Sequence, residues 1–156
     1  MDKIGEIVIR KYVNDDFEQL IEIAKALPEW FTTNGIKHMS IDLLYQHGFV
    51  AVLDFQIVGF LSFFVSEGIG QIGWIGILPE FHREGIGRKL IDGLISELRQ
   101  KGVRELRVNT LGDSVEYEPY ERTRAFYRGI GFKDFQRIKQ DDPECPELLI
   151  LAKNIQ

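Results

Sequence analysis

Ile7 and Ile9 alternate with Glu6, Val8 and Arg10, which predicts a short first strand. Asn14 is placed to cap a helix whose apolar face is Phe17, Leu20, Ile21 and Ala24, and Pro28 ends it. A loop over Glu29–Gly35 carries Trp30 and Phe31, and a second helix runs through Ile41, Leu44 and Tyr45 to a stop at Gly48. The pattern then changes to strands. Phe49–Leu53 and Ile57–Val65 are rich in β-branched and aromatic residues and flank a short turn at Asp54, Phe55 and Gln56, the signature of a hairpin. Gly68 and Gly70 punctuate the next turn, and Gln71–Leu78 alternates Ile72, Trp74 and Leu78 until Pro79 closes it.

From Gly85 the period becomes helical: Ile86, Leu90, Ile91, Leu94, Ile95 and Leu98 fall on one face, with Gly102 just past the end. Val103–Thr110 reads as a strand, Pro119 can open a further helix that Gly131 ends, and Phe132–Lys139 and Leu148–Ala152 are the last strands. The order βααβββαβαββ, with no internal repeat, predicts an α/β fold with a mixed central sheet, one domain over residues 1–156.

Composition narrows the function classes. A length of 156 residues suits one core, and 44% apolar residues exclude a disordered chain. The formal charge of −5 leaves no basic excess for a phosphate backbone, so nucleic acid is not an expected partner. His38, His47, His82 and the lone Cys145 show no metal-ligand spacing, so no metal is expected. A single cysteine suits a reducing cytoplasm, Met1–Arg10 lacks a signal-peptide apolar region, and no run approaches a membrane span. A homodimer is compatible with the composition but no self-pairing surface is legible.

The chemistry concentrates in Ile77-Leu78-Pro79-Glu80-Phe81-His82-Arg83-Glu84-Gly85-Ile86-Gly87-Arg88-Lys89-Leu90, where a strand stops and a glycine-spaced turn launches a helix. The first amides of a helix lack internal acceptors and carry the positive end of its dipole, so such a turn suits an anion; the plainer reading is a tight helix start. A Walker loop needs four residues between its glycines, and a dinucleotide fingerprint needs a third glycine where Leu90 stands.

This run resembles the signature of the Gcn5-related N-acetyltransferases (GNAT family), Gln/Arg-x-x-Gly-x-Gly/Ala, with His82 in place of Gln/Arg. Arg122–Phe132 is similar to the family's fourth-helix segment, with an aromatic pair before Gly-Phe, although Tyr120 stands where the family often has Asn. The resemblance implies acetyl-CoA as co-substrate, held where the parallel strands Gln71–Leu78 and Val103–Thr110 splay apart. It places the pyrophosphate on the amides of Arg83, Glu84, Gly85, Ile86, Gly87 and Arg88, and the thioester carbonyl against the amides near Ile77 and Leu78. It implies as acceptor a small-molecule or peptide amine that attacks directly, and assigns to Tyr127 the protonation of the leaving thiolate. A thiol near pKa 8.5 and a phenol near 10 differ by ~2 kcal/mol, within reach of a positioned acid.

No general base stands out among Glu29, Glu67, Glu116 and Glu118. Deprotonation at pH 7 costs ~1.4 kcal/mol for an α-amine but ~4.6 kcal/mol for a lysine-like amine, which favours the former as acceptor. The loop at Trp30-Phe31 and the acidic segments Asp113–Glu118 and Asp141–Glu147 fall in connections that can form the acceptor side of the cleft and select a cationic or aromatic amine; the plainer reading is that the aromatics pack the loop onto the core and the acidic loops serve solubility. Cys145 lies among prolines and carboxylates that raise its thiol pKa, which argues against a covalent acetyl-enzyme. The alternative is a catalytically silent domain that binds acetyl-CoA to regulate a partner, or an interaction module.

Overall fold

The computed structural model describes residues 5–156; Met1–Ile4, part of the stretch expected to carry no leader, lie outside the described residues. The elements follow in the order β1 (Val8–Lys11), α1 (Phe17–Lys25), α2 (Thr33–Tyr45), β2 (His47–Leu53), β3 (Gln56–Ser66), β4 (Ile69–Ile77), α3 (Ile86–Gln100), β5 (Glu105–Leu111), α4 (Glu118–Gly129), β6 (Lys133–Lys139) and β7 (Glu147–Asn154). The strands form one seven-stranded mixed sheet in the order β1-β2-β3-β4-β5-β7-β6, the expected α/β architecture. The chain groups into two compact units, one holding the residues up to Phe64 with Gly73–Glu97 and the other Val65–Ile72 with Leu98–Gln156.

In the first unit, α1 and α2 bury Leu20, Ile23, Ala24, Met39 and Leu43 with Val50 and Phe60 of the sheet. The strands approach closely at Gly48, where a Cβ would lie 2.1 Å from the Leu61 carbonyl oxygen. Asp54 and Phe55 take left-handed backbone angles (φ 48° and 68°) in the β2–β3 turn, the geometry of a tight hairpin. Asn14 does not cap α1. Asn14–Asp16 forms a separate 3-10 turn, and the Asp16 carboxylate instead accepts from the Val13 N–H at 2.8 Å and from both Arg10 Nη atoms at 2.8 and 2.9 Å. The α1–α2 loop ends earlier than expected, because Thr32 caps α2 by accepting the Gly35 N–H at 2.9 Å and so draws Gly35 into the first turn. Ile41, Leu44 and Tyr45 are exposed; the inward residues of α2 are Met39 and Leu43.

In the second unit, β5 pairs antiparallel with β7 along its whole length, and β6 covers the outer side of β7. The parallel pairing of β4 with β5 spans only Gly70–Ile72 and Leu106–Val108. Tyr127 and Phe132 pack the core with Leu106, Val108, Leu149 and Leu151. β6 is exposed along its length, with a register shift between Asp134 and Gln136.

The Arg10 guanidinium, followed by the Val13 amide, holds the Asp16 carboxyl below the usual carboxylate range against the opposing effect of burial. A depressed folded pKa contributes stability that is present above the unfolded value near 3.9 and lost as pH falls through the folded one. Asp16→Asn should therefore lower stability at pH 7 by roughly 1–3 kcal/mol. In thermal melts between pH 7 and 3, the gap between variant and wild type should close as the acid side is reached.

Candidate active site

The first unit contains the whole run from Ile77 to Arg88. Within β4, the Trp74 N–H donates to the Ser62 hydroxyl at 2.9 Å. The Trp74 ring stacks on Phe31 with centroids 5.9 Å apart and donates its indole N–H to Asp42 at 2.8 Å. Phe31 is buried while Trp30 meets the His82 ring edge-on at 5.9 Å, so the aromatic loop packs against its own unit.

The Leu78 N–H donates to the Val58 carbonyl at 2.9 Å. This corrects the expectation that Leu78 faces a thioester, since an amide pointing at β3 is committed to the sheet. Successive residues of a strand direct their backbone groups to opposite edges, so the Ile77 amide is turned away from β3. The Ile77 carbonyl accepts the Nε2–H of His82 at 2.7 Å. His82, at the position of the signature's Gln/Arg, thus braces the end of β4.

Pro79–Phe81 forms a 3-10 turn, after which Arg83 (φ 64°) and Gly85 (φ 78°) take left-handed angles. Only glycine adopts such an angle without strain, and at Gly85 nothing lies within 4 Å of where a Cβ would stand. The first internal bond of α3 is Lys89 N–H to Gly85 O, 3.1 Å, so the amides of Ile86, Gly87 and Arg88 precede the helical ladder. Ile86 is buried and anchors the helix, whereas Arg83, Glu84, Gly85 and Arg88 are exposed. The turn therefore presents an open, electropositive helix start.

Tyr127 belongs to the second unit. It is 2% exposed, with the Phe126 and Phe132 rings at centroid distances of 5.3 and 5.4 Å. Burial, reinforced by neighbouring Tyr120, raises its phenol well above the usual tyrosine value, and burial pushes Tyr120 up to about 12. Cys145 is a free thiol raised first by burial and then by Asp142.

In the acidic segments, three carboxylates are engaged by arginines. Asp113 and Glu147 both pair with Arg137, Glu147 also accepts the Ser114 N–H, and Glu118 pairs with Arg122 at 2.9 Å. Arg124, outside the residues expected to form the site, is 4% exposed on α4 and donates to the Leu111 carbonyl at 2.7 Å. Its signal was available: Tyr120, Arg124 and Tyr127 share one face at i, i+4 and i+7, and a cation within an inward stripe is unusual.

Among the described residues, no group of three or more side chains is arranged to hold a metal ion, and no helix is long and apolar enough to cross a membrane. The acetyltransferase (GNAT) domain model matches residues 44–134, more than half of the chain. The chain belongs to the GNAT acetyltransferase family. Solved structures share this GNAT fold at low sequence identity. A GNAT-family protein from Desulfovibrio desulfuricans is 19% identical with a TM-score of 0.83, covering 97% of this chain and 100% of the other. The ribosomal-protein-S18-alanine N-acetyltransferase from Escherichia coli is 18% identical with a TM-score of 0.79, over 97% and 95%. PaiA N-acetyltransferase from Thermoplasma acidophilum, solved in complex with coenzyme A, is 20% identical with a TM-score of 0.74, over 96% and 98%. No curated protein gives a significant sequence match.

His82→Phe keeps an aromatic ring beside Trp30 but leaves the Ile77 carbonyl without its donor. Stability should fall by about 1 kcal/mol in denaturant unfolding, the net worth of a neutral hydrogen bond. A variant as stable as wild type would show that the brace contributes nothing.

Proposed function

We propose that this GNAT protein is an N-acetyltransferase that moves the acetyl group of acetyl-CoA to a primary amine of a small molecule or peptide by direct attack. The observation that carries the reading is the turn into α3: an open left-handed Gly85, amides that precede the helical ladder, and exposed Arg83, Arg88 and Lys89. These groups fit a pyrophosphate, since backbone N–H groups and the helix dipole favour a compact anion without a dedicated side chain. The coenzyme A bound to the Thermoplasma acidophilum neighbour supports the same class of ligand. A single cysteine accords with a reducing cytoplasm as the compartment.

In this reading the amides of Arg83, Glu84, Gly85, Ile86, Gly87 and Arg88 hold the pyrophosphate, and the β4 edge turned away from β3 receives the amide-bearing arm. Acetyl-CoA supplies an activated acyl group when bound. The Ile77 N–H, rather than that of Leu78, donates to the carbonyl oxygen as charge develops there. The amine nitrogen forms its bond to the carbonyl carbon, the carbon–sulfur bond breaks, the nitrogen's surplus proton passes to water or a carboxylate, and sulfur leaves as a thiolate.

Tyr127 serves that thiolate. Because burial raises its phenol further above a thiol, complete proton transfer is uphill, and the hydroxyl acts chiefly as a neutral hydrogen-bond donor to the developing charge. The same burial favours a second reading, in which Tyr127 is a core residue and the chain binds acetyl-CoA without turning it over. Release of free CoA with a panel of amines separates the two.

Gly87→Glu would bring a side chain and a negative charge to the first turn of α3. CoA affinity measured by calorimetry should fall at least tenfold, or ~1.4 kcal/mol, in a folded variant. Tyr127→Phe should lower kcat by roughly 10- to 100-fold with little change in CoA affinity. Part of that loss should return with an acetyl donor whose thiol is more acidic; an unaltered kcat would leave Tyr127 a packing residue.

A further inference from the structure

Among the described residues of the second unit, two exposed arginines have no acidic partner. Arg107, Arg122, Arg128 and Arg137 each pair with a carboxylate, and Arg124 is taken by the Leu111 carbonyl. Arg99 and Arg104 form no ion pair with a side-chain carboxylate or with the Gln156 main chain. The plainer reading of Arg99, a cation in the last turn of α3, is that it complements the negative end of the helix dipole. Its bond goes elsewhere. The last carbonyls of the helix are already taken, that of Leu98 by the Lys101 and Val103 amides and that of Arg99 by the Gly102 amide, while the Arg99 Nε–H donates to the Ile155 carbonyl at 2.5 Å.

Both arginines line one hollow. Arg99, Gly102, Val103, Arg104, Ile155 and Gln156 surround a cavity of about 380 Å³ that belongs wholly to this unit, a volume suited to a small ligand. Ile155 organises it. Its carbonyl accepts from Arg99 and its N–H donates to the Arg104 carbonyl at 2.9 Å, so the Arg99 side chain and the Arg104 main chain are fixed to the same residue. Ile155 is buried and Val103 half-buried, which gives the lining an apolar part. Gly102, at φ 83°, has nothing within 4 Å of where a Cβ would stand, so no side chain closes the cavity from that residue. A guanidinium carries five N–H donors, and among the described residues the two Nη groups of Arg99 and the whole guanidinium of Arg104 have no acceptor.

We infer that this cavity is a second ligand site, which binds the phosphate monoester of a small apolar group. The donor set decides between anions. One guanidinium fork satisfies a single carboxylate, whereas a phosphate monoester offers three oxygens and close to two negative charges at pH 7, which two forks can share. Val103 and Ile155 take the ester group. The inference does not rest on the proposed acetyl transfer, because the turn into α3 that serves the pyrophosphate belongs to the first unit.

The probe is phenyl phosphate, with inorganic phosphate and benzoate as partial mimics. Each is titrated into the isotope-labelled full chain and followed by NMR at ~0.15 M salt, where diffuse surface attraction is largely screened. Phenyl phosphate should shift the Arg99 Nε–H and the amides of Gly102, Val103, Arg104 and Gln156, and should bind at least about tenfold more tightly than benzoate. Inorganic phosphate should move the same signals at higher concentration, since it lacks the apolar group. Arg104→Gln should weaken phenyl phosphate by at least about tenfold. Arg99→Lys, which keeps the charge and loses the fork, should lose part of the affinity. The Arg104 variant keeps the test decisive where Arg99→Lys disturbs the tie to Ile155, because no hydrogen bond of the free protein is made by the Arg104 side chain among the described residues. Shifts confined to the Gly85–Arg88 turn, benzoate as tight as phenyl phosphate, or an affinity unaltered in Arg104→Gln would each overturn the inference.

Discussion

Backbone groups that leave a sheet ladder must find other partners, because an unpaired buried N–H or C=O costs about as much as a lost hydrogen bond. The two parallel strands meet this demand partly with side chains. On β4, Ser62 accepts from Trp74 and His82 donates to Ile77, while Leu78 keeps a main-chain acceptor in Val58. On β5, Arg124 donates to Leu111. Each of these side-chain bonds supplies a partner to a main-chain group. Ile77 and Leu111 are thereby the points where a side chain takes over a main-chain carbonyl.

The order of elements was legible because its punctuation was strong. Pro79 with Gly85, Gly102 and Gly131 each mark a change of period, and the long apolar face from Ile86 to Leu98 leaves one assignment open. Local chemistry near weaker signals was harder to read. Gly35 argued for a loop, but the Thr32 hydroxyl outweighs the glycine by capping α2. Ile41, Leu44 and Tyr45 look like a core stripe, yet tertiary packing turns Met39 and Leu43 inward. At the site, Gly85 and its neighbours stood out through spacing alone. The direction of the Leu78 amide did not, since it depends on the pairing partner and a register that the one-dimensional pattern does not contain.

Charge is distributed differently from what its totals suggest. The chain is acidic overall, but Asp113 and Glu147 converge on Arg137, and Asp134 joins Arg128 to the same arginine. These pairs lie at or near the surface, where each contributes little to stability and salt screens the exposed ones. Arg124 differs from these: it is buried, donates to the Leu111 carbonyl and, among the described residues, forms no ion pair.

The outermost strand has a consequence for behaviour at high concentration. β6 forms the last strand of the sheet, and its free edge is a template on which another chain's strand could add. Its exposed Lys133, Asp134, Arg137 and Lys139 and the break in register between Asp134 and Gln136 interrupt that template with charge and a local kink. Open-ended strand addition, the first step of fibrous aggregation, is thereby disfavoured on this side of the molecule, even though Phe135 and Ile138 are exposed on it.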